Sequence, residues 1–190
     1  MNNDAIYSAE NEQYRVEIHP DETPIDPRTE HTIGTIISAH SFIGDRNDLS
    51  RNEIEDEIES LRESAVILPV YMYDHSGVKL NTSGFNSRWD SGKIGYIYAD
   101  LEADHHTVDD KERLKEVLES EIERYSMFVN GEVYGYMLYE SHTCSECDKE
   151  HTEQVDSCWG FYGHSFPKQM NEYLPEGAQI GLNSTGLYFK

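Results

Sequence analysis

The chain has 190 residues, of which 37% are hydrophobic, and its 37 acidic and 15 basic residues give a formal net charge of −22. This length and composition predict one folded domain over residues 1–190 and do not fit a disordered chain. The charge disfavours direct binding to nucleic acid or to an anionic membrane, and no apolar run or signal-peptide pattern is present, so we expect a cytoplasmic protein.

The acidity itself has two interpretations. Salt-adapted proteins carry acidic surfaces, and the scarcity of Lys favours this interpretation, whereas the many Ile and Asn residues fit it less well. Alternatively, an acidic surface imitates the phosphates of DNA and occupies the basic cleft of a nucleic-acid enzyme.

The first third of the chain predicts two strands and a helix. Residues 1–12 are polar and are expected to be flexible, residues 14–19 alternate as a half-buried strand does, and residues 33–39 form a second strand candidate. The proline-rich stretch PDETPIDPRTEH between them is expected to be a loop. Ser50 and Glu53 have the spacing of a capping box, so a helix is predicted to begin there, with Ile54, Ile58 and Leu61 on one face.

Residues 66–73 are almost continuously apolar, which is typical of a buried strand. Pro69 predicts an edge position or a bulge, because proline cannot donate to a strand ladder. The sequences Asp-His-Ser-Gly at 74–77 and Asp-Ser-Gly at 90–92 predict turns that lead into return strands at 78–82 and 94–98.

The same two turns carry polar side chains that offer an alternative function. Asp74, His75, Trp89 and Asp90 could line a pocket if both loops lie at one end of a sheet, which would suit a nucleotide binder or a hydrolase. Adjacent residues in an extended segment point in opposite directions, and the Gly-x-Ser-x-Gly pattern of a nucleophile elbow is missing. We therefore predict no catalytic residue, and turns are the preferred interpretation.

The longest helix is predicted over about residues 109–129, after an acidic start at 107–110 and before Asn130-Gly131. Its apolar residues recur at helical spacing: Leu114, Val117, Leu118, Ile122, Tyr125 and Phe128. Its glutamates, Glu121 included, are expected to face solvent. We predict a surface for a basic partner on the two helices, formed by Glu53, Asp56, Glu57, Glu112, Glu116, Glu119 and Glu123.

A strand predicted at 133–139 leads into SHTCSECDKEH, the segment with the most specific local chemistry. Its thiols and imidazoles have the compact spacing of a tetrahedral zinc site, with His142, Cys144, Cys147 and His151 as ligands. Four protein ligands leave no open position, so the zinc would be structural. Cys158 competes for the fourth place but would lie about 20 Å from the hairpin tip if the following segment pairs back as a strand.

These elements predict an α+β fold, with a mostly antiparallel sheet and two main helices packed on it. The longer helix would cover one face of the sheet with the shorter helix beside it. A third short helix is expected near Pro167, with Met170, Tyr173 and Leu174 directed inward.

Four motifs occur in order between residues 67 and 163: PVYMYDHSG, WDSGKIGYIY, GEVYGYMLYE and DSCWGFYG. Together they resemble a family of uncharacterised accessory proteins encoded by tailed bacteriophages and related mobile elements. The hairpin before the last motif is short in that family, so the Cys/His segment at 141–153 is interpreted as an insertion. The family has no agreed activity, and no catalytic residue is carried over from it.

The resemblance implies a function in the host cell. Small acidic proteins of phage accessory regions are often inhibitors of host defence, and a charge of −22 suits the basic groove of a nuclease. The leading hypothesis is therefore that the protein inhibits a basic nucleic-acid-processing enzyme of host defence without catalysis. Imitation of DNA is the mechanism that this hypothesis suggests. The alternatives are the loop pocket described above and a structural or regulatory phage protein.

Overall fold

A computed structural model describes residues 5–87, 89–101, 111–144 and 149–190. Contacts divide the chain into two compact units: unit 1 comprises Met1–Ile25 and Gly131–Lys190, and unit 2 comprises Asp26–Asn130. The described residues have α+β structure with antiparallel sheets, which confirms the predicted class. The strands belong to two four-stranded sheets and one hairpin rather than to the one sheet that was predicted.

The described residues of unit 2 form one four-stranded sheet and two α-helices. In chain order its elements are a single 3-10 turn at Pro27–Thr29, β3 at Thr35–Ser38, α1 at Arg51–Leu61, β4 at Ala65–Asp74, β5 at Val78–Asn81, β6 at Ser91–Asp100 and α2 at Lys111–Val129. The strand order is β3-β6-β4-β5, and every neighbouring pair is antiparallel.

The two helices of unit 2 pack on opposite faces of this sheet, so the prediction that they lie side by side is wrong. Residues from α2 share a core with Ile36 and Ile97, whereas Ile54 and Ile58 of α1 pack with Ile37. Successive residues of a strand point to opposite faces, and both faces of these strands are apolar. A sheet that is apolar on both faces needs a helix on each face.

Several local predictions in unit 2 are confirmed. Ser50 and Glu53 form a reciprocal capping box at the start of α1. Pro69 lies in a part of β4 that pairs with β6 but not with β5, next to a register shift between Val70 and Tyr71. Gly131 follows the end of α2 with φ of 71°, a backbone conformation that favours glycine. The predicted acidic start of α2 at 107–110 lies outside the described residues.

Arg28 joins four segments of unit 2 through a largely buried ionic network. Its guanidinium contacts both carboxylate oxygens of Asp45 at 3.0 and 2.6 Å, one oxygen of Glu121 at 2.8 Å, and the carbonyl of Gly34. Glu121 also accepts from the amide of Ile33 at 2.7 Å. The prediction that Glu121 faces solvent is therefore wrong. Burial acts to lower the pKa of Arg28, but the hydrogen bonds to Asp45 and Glu121 outweigh it and the pKa is raised.

Unit 1 contains the second four-stranded sheet, in the order β1-β2-β7-β8, a short helix and a hairpin. Its elements are β1 at Tyr7–Glu10, β2 at Tyr14–Pro20, β7 at Val133–Thr143, β8 at Glu150–Tyr162, α3 at Phe166–Met170, β9 at Ile180–Asn183 and β10 at Gly186–Phe189. The core of unit 1 combines Val16, Ile18 and Tyr136 from the sheet with Met170 and Ile180 from the elements that follow it.

Two expectations for unit 1 differ from the structure. Residues 7–10 belong to a stretch that was expected to be flexible, but they form β1 because their backbone pairs with β2. The helix near Pro167 is confirmed as α3, which buries Met170. Leu174, which follows the helix, is also buried as predicted, whereas Tyr173 is 62% exposed and does not point inward. Among the described helices, none combines the length and the hydropathy that crossing a membrane requires.

The network around Arg28 predicts an unequal response of two glutamates on α2. Glu121→Ala leaves the Arg28 charge and two backbone amides with fewer partners, so we expect the free energy of unfolding to fall by about 3 kcal/mol. Glu121→Gln keeps an acceptor for the amides and should cost about half as much. Denaturant unfolding measures both variants.

The matched control for this measurement is Glu119→Ala, because Glu119 is exposed on the same helix. It should change the free energy of unfolding by no more than about 0.5 kcal/mol. Equal losses for the Glu119 and Glu121 variants would contradict a specific role for the buried network.

Candidate functional site

The negative charge is divided equally between the two units. By sequence, unit 1 has 15 acidic and 4 basic residues and unit 2 has 22 and 11, so each has a formal charge of −11. Unit 1 has this charge although its one described α-helix has only five residues. The acidity is therefore a property of both units and is not confined to the faces of the two longer helices.

Within unit 2, α2 carries an ordered row of carboxylates. Glu112, Glu116, Glu119 and Glu123 are exposed and are separated by four, three and four residues, so they lie along one side of the helix. The opposite side buries Leu114, Leu118, Ile122 and Tyr125 against the sheet. We call these four glutamates the α2 stripe. At the helical rise the stripe is about 16 Å long.

The predicted acidic residues on α1 have a different role, because two of them are held within unit 2. The Glu53 side chain accepts from the backbone amide of Ser50, and hydrogen bonds with Ser50 lower the pKa of Glu53. Glu57 contacts Arg46 and accepts from the Tyr98 hydroxyl at 3.0 Å. Asp56 is exposed. These contacts leave α1 less suited than α2 to present carboxylates to a partner.

Glu55, which was not predicted as a site residue, belongs to a hydrogen-bonded cluster with β6. Lys93 donates to Glu55 at 2.9 Å and to the Tyr96 hydroxyl, which in turn lies 3.1 Å from both oxygens of Glu55. The hydrogen bond from Lys93 lowers the pKa of Glu55, and the hydrogen bond with Tyr96 raises the pKa of Lys93. Both charges are thereby maintained over a wide pH range.

A bulge explains why Lys93 and Tyr96 can meet. In a regular strand, residues three apart point to opposite faces. Here Val70 of β4 pairs with Gly95 and the next residue, Tyr71, pairs with Lys93, so Ile94 is an extra residue in β6. The extra residue shifts the alternation by one and brings the two side chains to the same side. Strand periodicity alone could not reveal this contact.

The two loops of the alternative pocket are neighbours, as predicted. The amide of Asp74 donates to the carbonyl of Asp90 at 3.0 Å. The turn predicted at 74–77 is confirmed, because β4 ends at Asp74 and β5 begins at Val78. The turn predicted at 90–92 is displaced, because Ser91 and Gly92 already belong to β6 and pair with β4. Trp89 is 94% exposed. A cavity of about 390 Å³ lies near these loops, but it is lined by Tyr71, residues 83–87, Ser91 and Gly92 and not by Asp74, His75, Trp89 or Asp90.

The hairpin of β7 and β8 brings together only part of the predicted zinc site. His142 pairs directly with His151, and their ring centroids are 5.9 Å apart. The described residues contain no group of three His, Cys, Asp or Glu side chains placed to hold a metal, so Cys144 does not complete such a group with the histidines. Cys147 lies outside the described residues. The predicted metal insertion is thus unsupported by the described residues.

The position of Cys158 agrees with its lower rank as a ligand. Cys158 pairs with Tyr136 in the β-ladder, seven residues along β8 from His151. This separation corresponds to about 23 Å at the usual rise of a strand. The side chain of Cys158 packs against the core of unit 1.

Comparisons with known proteins found no matching family model, no matching curated protein and no matching solved structure. Hypotheses about function therefore depend on the residues of this chain.

The pairing of Glu55 with Lys93 predicts a specific pKa change. Because the pKa of Glu55 lies below its ordinary value of 4.5, its contribution to stability is present above that pH and is lost as the pH falls through the lowered pKa. Lys93→Met should raise the pKa of Glu55 towards 4.5, as followed by NMR titration of its carboxyl carbon. Lys79→Met removes an exposed charge from β5 in the same unit, and an equal rise in that variant would contradict direct pairing.

Proposed function

We propose that this protein acts without catalysis by binding a basic macromolecular partner, and that the α2 stripe is the contact surface. The expected partner is a nucleic-acid-processing enzyme of host defence, whose DNA-binding groove the protein would block. The observation that supports the proposal is the row of exposed carboxylates on one side of α2, opposite the buried side. The phage-type motifs and the net charge of −22 agree with it.

The geometry of the stripe suits partial imitation of DNA. Its four carboxylates are spread over about 16 Å of helix axis, whereas one DNA strand carries a phosphate about every 3.4 Å. The stripe therefore provides a lower charge density than a DNA strand of equal length. Binding by the stripe would displace counter-ions from the partner's groove, so affinity should fall steeply with salt, as it does for DNA.

The equal charge of unit 1 provides an alternative explanation for any binding. A strongly negative protein attracts basic proteins through its overall field even without a defined contact surface. The two explanations predict different effects of mutation. Binding through a contact surface depends on which residues change charge, whereas binding through the overall field depends mainly on the total charge of the protein.

Charge reversal at the stripe is the direct test. The triple variant Glu116→Lys, Glu119→Lys and Glu123→Lys should abolish inhibition of DNA cleavage by a restriction endonuclease or a CRISPR nuclease that the wild type inhibits. Any residual affinity should depend less steeply on salt than that of the wild type, since three carboxylates leave the contact. The fold should be retained, because exposed substitutions cost little stability.

The matched control reverses three exposed glutamates of unit 1, Glu153, Glu172 and Glu176, to lysine. It changes the total charge by the same amount and should keep most of the inhibition. Equal loss in both triple variants would show that the overall field, and not the stripe, is responsible. Absence of inhibition across the nuclease panel would reject the proposed class of partner.

We also propose that the β7–β8 hairpin holds a structural zinc ion with His142, Cys144, Cys147 and His151 as ligands. The direct pairing of the two histidines supports this proposal. Two imidazoles on one tetrahedral zinc would have their centroids about 5 Å apart, given zinc–nitrogen bonds of about 2 Å. The observed separation of 5.9 Å is close to that value.

Metal analysis tests the zinc proposal. Protein purified without chelator should contain about one zinc per chain, and the Cys144→Ser, Cys147→Ser double variant should lose it. Cys158→Ser is the control and should retain zinc, because Cys158 lies far along β8. Substoichiometric metal in the wild type, or zinc retained in the double variant, would reject the site.

A further inference from the structure

Unit 2 contains a cavity of about 540 Å³ between the first turn of α1 and the beginning of β6. Cavities of about 300–1,000 Å³ are typical of small-molecule sites. Apolar surface comes from Ala39, Ile54 and Ile94, and the polar groups come from His40, Arg51, Lys93 and Glu55. The cavity therefore combines an apolar wall with a few polar groups, as ligand sites do.

Arg51 is the unusual residue of this cavity. Acidic residues outnumber basic ones by 37 to 15 in the chain, and Arg15, Arg28, Arg46, Arg62 and Arg124 each have a carboxylate partner. Within the described part of the chain, Arg51 has no ion pair. It is also the first residue of α1, where the helix dipole disfavours a positive charge. Its guanidinium thus has five N–H donors to which no carboxylate among the described residues of unit 2 is paired.

The other polar groups at the cavity also offer donors rather than acceptors. Lys93 uses two of its three N–H groups on Glu55 and Tyr96, and one remains. His40 accepts from the amide of Phe42 through Nδ1, so the neutral ring carries its proton on Nε2, where it can donate. The Glu55 oxygens are already engaged by Lys93 and Tyr96. An incoming ligand therefore meets mainly unused donors.

We propose that this cavity binds a small anionic molecule with an apolar body, whose phosphate or carboxylate is recognised by Arg51 and Lys93. A cation would be repelled by both side chains and would find the Glu55 carboxylate engaged. The local donors outweigh the field of the chain because charges in contact are screened far less than distant surface charges. This site is separate in function from the α2 stripe and does not depend on a macromolecular partner.

NMR titration with defined probes tests the proposal. Adenosine 5′-monophosphate and benzoate supply the two kinds of anion, and adenosine and agmatine are the neutral and cationic comparisons. At least one anion should shift the amide resonances of Arg51, Gly92 and Lys93 with a Kd below about 1 mM. Binding by only one anion identifies the preferred group, whereas equal binding of adenosine, binding of agmatine alone, or no saturation by either anion would overturn the proposal.

Two variants connect the binding to the named residues. Arg51→Gln should weaken the anion by at least about tenfold, which is the expected loss for a charge-assisted hydrogen bond. Lys93→Gln provides a second test that leaves the start of α1 unchanged. Arg113→Gln is the control, because it removes an exposed arginine of α2 and should bind as the wild type does. Wild-type affinity in both cavity variants would overturn the assignment.

Discussion

The ionic network around Arg28 is the constraint on which the arrangement of unit 2 depends. Asp45 and Glu121 approach the same guanidinium from different segments, and they also accept from the backbone amides of Ile36 and Ile33 respectively. A Cβ added at Gly34 would lie 2.5 Å from the Leu118 side chain and 2.7 Å from that of Ile97, so a larger residue here would require these side chains to move. A buried charge with incomplete partners is costly, which ties α2, β3 and the preceding turn to one arrangement.

Some acidic side chains of unit 2 stabilise the fold through local contacts, whereas others are exposed and can contact a partner. Glu53, Glu57 and Glu121 are held by caps, arginines or backbone amides, whereas Glu116, Glu119 and Glu123 are exposed on one side of α2. A count of acidic residues does not make this distinction. The carboxylates that can contact a partner directly are therefore fewer than the 37 acidic residues of the chain.

The cavity beside α1 shows how an irregularity of a strand can create a site. The extra residue at Ile94 brings Lys93 and Tyr96 to the same side of β6, and their contacts with Glu55 link β6 to α1. Bulges commonly redirect side chains next to functional sites. In this strongly acidic chain, the bulge places hydrogen-bond donors beside the cavity. A small anion is therefore the expected ligand.

The sequence determined the elements whose signals are local: the capping box at Ser50, the apolar stripe of α2 and the turn at Gly77. Only tertiary structure decided which faces the helices cover, that Glu121 is buried by Arg28, and that Lys93 meets Tyr96. Residues 7–10 form a strand because their backbone pairs with β2, although their polar sequence does not predict a strand. Local patterns specify caps and turns, because those depend on a few neighbouring residues, whereas contacts between distant segments depend on the packed chain.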